Sequence, residues 1–212
     1  MRPPGTPEER HPGLDAKIVA ALDRIGEVLQ VLARRTAESH DLSATQLRIL
    51  VRLYAGSPPV ANTSALAREF ELSDPTVSDA VGVLRRKGLI DRVQDQIDRR
   101  HYHLRLTHAG RELARSVSRW TAPAEVMTAG LERADGEQLL VTLLDVLGRM
   151  CAAGLVDVTR ACTTCRHFER DPRATQAAPY RCNLFDYAMT PSDLRVDCVE
   201  HQIAKEFART SS

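Results

Sequence analysis

The stretch Leu72–Gly88, "LSDPTVSDAVGVLRRKG", holds both the start and the stop of one helix. Ser73 is a good N-cap, Pro75 suits the first turn, where its missing N–H costs nothing, and Gly88 is the C-terminal stop. Val77, Val81 and Leu84 share one face of this helix and are expected in the core. Asp74, Thr76, Ser78, Asp79, Arg85 and Arg86 are left on the other faces. Just upstream, "NTSALAREF" predicts a short helix over about 63–70, capped by Asn62 or Thr63. The pair makes a helix, a three-residue turn and a helix. Downstream, "LIDRVQ" and "HYHLRLT" alternate apolar and polar residues and read as strands joined by the charged turn "DQIDRR". A hairpin directly after a helix-turn-helix makes a winged helix.

Further out, Ile18, Leu22, Ile25, Leu29 and Leu32 step by four and three, which predicts an amphipathic helix over 14–38. In "LSATQLRIL", Ser43 and Gln46 form a capping box, so a helix starts there and ends at Gly56, Pro58 and Pro59. "THAGRELARSVSRW" restarts a helix with Thr107 as its cap. Residues 121–154 continue helical with a break at "ADGE". The second half carries Leu139, Leu140, Leu143, Leu144 and Leu147, more apolar surface than a lone helix needs. Together with the stripe of residues 14–38, this predicts a helical dimerisation layer. After about residue 158 no helical period is sustained, and Cys, Pro, Asp and Arg dominate.

The chain has 212 residues, 43% hydrophobic and 27% charged, with a net charge of +1. That is ordinary for a globular protein. No window of about 20 apolar residues suggests a membrane span, and "MRPPGTPEERHPG" has no apolar run of the kind a secretory signal needs. The expectation is a cytoplasmic protein with a disordered tail over residues 1–13. Its five cysteines are then more readily metal ligands than disulfides. Aromatic residues make up 4%, which gives little support for stacking on single strands. Charge is uneven: residues 42–119 hold 13 Arg and Lys against 8 Asp and Glu, a surplus placed where a duplex would touch.

"LSATQLRIL…ALAREFELSDPTVSDAVGVLRRKGLIDRVQDQIDRRHYHLRLTHAGREL" resembles the MarR (multiple-antibiotic-resistance regulator) family of winged helix-turn-helix transcription factors. The most specific piece is "KGLIDR…DRR…LRLTHAGREL", and the likeness spans about 15–150. It implies a homodimer with a helical interface, bound to a pseudo-palindromic double-stranded DNA operator. Small polar side chains at a helix start reach base edges in the major groove, so Thr76 and Ser78 are the leading base contacts, with Ser73 and Asp74 beside them. Asp79 stands where many members of the family carry a basic residue; it either accepts from a cytosine amino group or repels phosphate. In the wing, Asp98 would brace one of Arg99 and Arg100 with a bidentate pair while the other enters the minor groove.

The C-terminal segment has the pattern Cys162-x2-Cys165-x16-Cys182-x15-Cys198. Four thiolates in one short, loop-rich segment suit a single metal centre, and a metal would supply folding energy the segment lacks. Zinc often uses two tight knuckles, and here only the first is complete. Cys198-Val-Glu-His201 could supply a second, so that His201 with three of the four cysteines, Cys182 among the candidates, gives a Cys3His site. The alternative is a [4Fe–4S] cluster on Cys162, Cys165, Cys182 and Cys198. One close pair followed by two separated cysteines is similar to high-potential iron–sulfur proteins, as are "CTTCRHF" and "YRCNLF", although His201 departs from the Trp that often follows there. This places the cluster ahead of Zn2+. His167 is expected beside the ligands rather than among them, and Cys151 as a small buried residue.

The expected architecture is mainly α with a small β-hairpin wing. It comprises an N-terminal dimerisation helix (14–41), a winged helix-turn-helix (42–119), C-terminal dimerisation helices (120–157) and a loop-rich four-cysteine module (158–212). The expected function is a homodimeric DNA-binding regulator, a repressor in sense, whose metal centre tunes DNA affinity. A second version keeps the DNA binding, makes zinc purely structural and adds a small organic effector that no residue identifies. A third makes the chain an electron carrier or metal-dependent enzyme. Against catalysis, the chain shows no Ser/His/Asp order, HExxH or phosphate-cradling glycine loop.

Overall fold

The computed structural model describes residues 13–56, 62–94, 102–156, 160–170 and 177–207. Helix α1 (Leu14–Glu38) occupies the span its apolar stripe predicts. Helix α2 (Ala44–Tyr54) opens on the complete capping box: Gln46 N–H donates to Ser43 Oγ at 3.2 Å, and Ser43 N–H donates to Gln46 Oε1 at 3.0 Å. Helix α3 (Thr63–Phe70) is capped by Asn62, whose Oδ1 accepts from Ala65 N–H at 2.8 Å. Helix α4 (Asp74–Arg86) follows after the turn Glu71–Ser73, and Gly88 beyond it takes a left-handed φ of 67°. Strands β1 (Ile90–Gln94) and β2 (Tyr102–Leu106) pair antiparallel, with Ile90 opposite Leu106 and Gln94 opposite Tyr102.

One core serves this whole unit. Ile49, Leu50, Val77, Leu84, Ile90 and Val117 are fully buried, with Leu47 among them, so α2, α4, β1 and α5 (His108–Val117) share it. The helix α5 is fixed to the base of the hairpin by Thr107. Its Oγ1 caps α5 by accepting from Gly110 N–H at 2.9 Å and donates to Gly88 O at 2.7 Å. Gly110 allows this approach: a Cβ there would lie 1.7 Å from Leu89 O.

Beyond α5 come α6 (Ala122–Thr128) and α7 (Arg133–Ala152). The break between them falls at residues 129–132, earlier than the expected "ADGE". Asp135 and Gly136 instead sit in the first turn of α7, where a carboxylate favours the helix N-terminus. The apolar face of α7 has a use other than the expected one. Leu144 is fully buried in a second core with Ala161, Tyr180, Met189 and Leu194, and Leu140, Val141 and Leu147 pack around it. Part of the surface assigned to dimerisation therefore binds the chain's own C-terminal module. That module is also less loop-like than expected. Strands β3 (Phe168–Arg170), β4 (Tyr180–Cys182) and β5 (Tyr187–Met189) form an antiparallel sheet with β4 in the centre. No helix among the described residues is long and apolar enough to cross a membrane.

Candidate nucleic-acid interface and metal centre

In α4, Val77, Ala80, Val81 and Leu84 are buried, while Asp74, Thr76, Ser78, Asp79, Arg85 and Arg86 are all exposed. Ser73 Oγ accepts from Thr76 N–H at 3.3 Å and lies 2.7 Å from Thr76 Oγ1, so these two hydroxyls form one polar corner at the helix start. The corner projects from a helix held rigidly by its apolar face, which is how a side chain keeps a fixed register against base edges. The wing residues Asp98, Arg99 and Arg100 lie outside the described residues. The strands that carry that turn are in place on either side.

The four cysteines Cys162, Cys165, Cys182 and Cys198 line one cavity of about 30 Å³. Each is held by its backbone. Cys162 and Cys165 bracket a single 3-10 turn closed by Cys165 N–H to Cys162 O at 2.9 Å, and Cys162 N–H donates to Arg195 O at 2.9 Å. Cys165 bridges to Ile203. Cys182 ends the central strand, between Phe168 and Tyr187. Cys198 N–H donates to Arg160 O at 2.9 Å. His167, Phe168, Leu184, Phe185 and Met189 complete much of the wall.

Three features bear on whether this cavity could take a metal centre. Arg195 N–H is aimed at Cys162 Sγ, 3.2 Å away, and the Arg195 guanidinium lies 4.0 Å from Cys198 Sγ. Burial pushes the Cys162 thiol up from its usual value, and the sulfurs of Cys198, Cys165 and Cys182 add to this while the Arg195 amide opposes it. Four neighbouring thiolates repel one another, and a metal that compensates their charge removes that penalty. Finally, His167 Nε2 is buried with no hydrogen-bond partner among the described residues, an orphan polar atom in the wall of the same cavity.

As they stand, no three of the His, Cys, Asp and Glu side chains among the described residues are grouped as a metal ion requires. His201 is turned elsewhere: its Nε2 lies 3.0 Å from Thr164 Oγ1. That hydroxyl also donates to Ala161 O at 3.1 Å, and His201 is not among the residues that line the cavity. Burial lowers the His201 pKa, in keeping with a neutral ring. The five cysteines are free thiols, and Cys151 is buried on α7 as expected.

Sequence reasoning missed the ion pairs around Arg160. Its Nε lies 2.7 Å from Asp197 Oδ1, and its Nη2 lies 3.3 Å from Glu69 Oε1 on α3. Glu69 also accepts from Arg52 Nε on α2. Residues 91 positions apart carry no local signature of such a contact.

The arrangement of α2 to α5 with the hairpin defines a winged helix-turn-helix. Residues 40–101 match the family model of the MarR family, whose members are transcriptional regulators and not enzymes. The Staphylococcus aureus MepR–DNA complex is 25% identical with a TM-score of 0.54, covering 62% of this chain and 96% of MepR. CouR from Rhodococcus jostii RHA1, solved with p-coumaroyl-CoA, is 23% identical with a TM-score of 0.54, covering 64% of this chain and 95% of its own. MarR from Oenococcus oeni PSU-1 is 22% identical with a TM-score of 0.52, covering 63% and 97%. The last two are similar in fold. No curated protein sequence matches the chain. Each of the three structures leaves more than a third of this chain uncovered, and the four cysteines lie outside the matched segment 40–101.

Proposed function

We propose that this chain is a DNA-binding transcriptional regulator of the MarR type that acts as a homodimer on a pseudo-palindromic duplex. The observation that carries the reading is the polar start of α4, exposed on a winged helix-turn-helix within the segment 40–101 that matches the family model. Ser73, Asp74, Thr76, Ser78 and Asp79 face base edges, and Arg85 and Arg86 meet phosphate. Arg99 and Arg100 work from the wing, braced by Asp98. The clasp that joins two copies uses α1, where Ile18 is 48% exposed and Ile25 56%, together with Val126 and Met127 of α6. Apolar residues so exposed at helical spacing suit a surface that a second copy covers.

The C-terminal module holds a metal centre on Cys162, Cys165, Cys182 and Cys198. A zinc ion draws four sulfurs to about 2.3 Å from one point. One close pair of cysteines followed by two separated ones favours a [4Fe–4S] cluster, which takes one thiolate at each of its four irons. His167 Nε2 then has a sulfur to donate to, and the wall of Phe168, Leu184 and Phe185 limits water. In the regulatory reading, the state of this centre tunes DNA affinity.

The experiment has two arms. Protein purified without oxygen is analysed for iron, sulfide and zinc: about four irons and four sulfides per chain are expected. A single zinc replaces the cluster with a zinc site, and a metal-free folded chain overturns the centre. In the second arm, the same protein is titrated into a duplex from the region upstream of its own gene. Failure to bind at low salt overturns the regulator reading.

A further inference from the structure

The cysteine module and the helix-turn-helix are joined by more than the chain. Glu69 lies in the last turn of α3, directly before the turn that leads into α4. It takes hydrogen bonds from Arg52 of α2 and from Arg160 of the module. Arg48 of α2 faces the same carboxylate, with its guanidinium 4.4 Å over the Phe70 ring. On its other side, Arg160 pairs with Asp197, the neighbour of Cys198. The main chain follows the same route: Arg160 bridges to Asp197, and its carbonyl accepts from Cys198 N–H at 2.9 Å. One arginine thus holds a carboxylate on each side, one fixed to the cysteine shell and one to the helix-turn-helix.

The burial of this pair makes it a stiff connection. The Arg160 side chain is 13% exposed and that of Glu69 26%, against 53% for Asp197. A guanidinium so buried is costly to leave unpaired, whereas an exposed ion pair is readily exchanged for water. When the Cys198 segment shifts, Asp197 and the Arg160 main chain shift with it. The guanidinium must then drag Glu69 or lose it. Either outcome changes how α3 seats α4, and the separation of two recognition helices must match a turn of the duplex. A displacement at the metal shell is therefore delivered to the DNA-reading helix.

We infer that Arg160, acting on Glu69, is the positioning residue through which the state of the four-cysteine centre is read by the helix-turn-helix. This rests on the proposed regulator with a metal centre and names how its two halves communicate.

The test measures duplex affinity by fluorescence anisotropy for the full-length protein, metal-loaded and chelator-stripped, on the upstream duplex. The readout is the ratio of the two dissociation constants, alongside the metal content of the loaded form. The wild type is expected to show a ratio of about tenfold or more. Arg160→Gln and Glu69→Gln should load metal as the wild type does, with a ratio within about twofold of one. A loaded variant that keeps the wild-type ratio overturns the inference. Loss of metal from both variants also overturns it, because the pair is then only a scaffold for the shell. A metal-bound wild type with a ratio of one overturns it as well, since the centre is then structural. A wild type without metal, or without duplex binding, fails earlier, at the reading on which the inference rests.

Discussion

Replacing Gly110 by alanine should damage both the stability and the DNA affinity of this protein. A Cβ at this position would lie 1.7 Å from Leu89 O and 2.7 Å from Leu89 C, both backbone atoms with no rotamer to yield. Real Cβ contacts essentially never fall below 3.0 Å, so α5 and the α4–β1 joint must part by roughly 1.3 Å. The same gap is spanned by Thr107 N–H to Leu89 O at 3.1 Å and Thr107 Oγ1 to Gly88 O at 2.7 Å. Overpacking costs about 1–3 kcal/mol. Weakening two hydrogen bonds adds about 1 kcal/mol each. A total of about 3–5 kcal/mol lowers the melting temperature of a chain this size by about 6–20 °C. Thermal unfolding followed by circular dichroism reads this directly. Because the hairpin base moves too, duplex affinity at about 25 °C should fall at least about tenfold. Gly136→Ala is the control: nothing lies within 4 Å of its Cβ position and its φ is not positive, so it should be neutral or slightly stabilising. A Gly110→Ala protein that melts within about 2 °C of the wild type would refute the close-approach argument.

Changing Arg99 and Arg100 together to alanine should weaken duplex binding at least about tenfold in a gel-shift titration and flatten its salt dependence, since fewer neutralised phosphates release fewer counterions. Unchanged binding would remove the wing from the interface. Cys182→Ser should abolish the metal centre, whereas Cys151→Ser and His201→Ala should leave metal content intact; metal analysis of the three variants separates ligands from bystanders. Leu144→Ala opens the core between α7 and the module at a cost of about 2–5 kcal/mol. Limited proteolysis should then cut the module free while residues 42–119 persist, and equal resistance of both parts would contradict the packing.

The helix boundaries are legible because their signals are local. Ser43 with Gln46, Asn62, Ser73 and Thr107 each act on an amide within three residues, so the cap can be read from the sequence next to it. The same is true of the core face of α4, where Val77, Val81 and Leu84 repeat at helical spacing. What the sequence conceals is tertiary. The leucines of α7 have the right period for an interface, but nothing local tells a second copy from the chain's own Tyr180 and Met189. Strands of three residues are too short for alternation to show, which hides the sheet of the module. "ADGE" misleads because Asp and Gly suit the first turn of a helix as well as a break. The four cysteines are visible as a spacing. The spacing Cys198-x2-His201 also suggests a ligand, whereas in the structure His201 meets Thr164 and is not among the residues lining the cavity. Arg160, Glu69 and Asp197 have no sequence signal at all.

The central claim is that paired copies of α4 read a double strand in successive grooves. Light scattering of the purified complex with its upstream duplex tests it most directly, combined with a footprint of the bound DNA. Two chains per duplex are expected, with two protected half-sites about 10 base pairs apart, centre to centre, or a multiple of that. One chain per duplex, or protection of a single site without a symmetry mate, would contradict it.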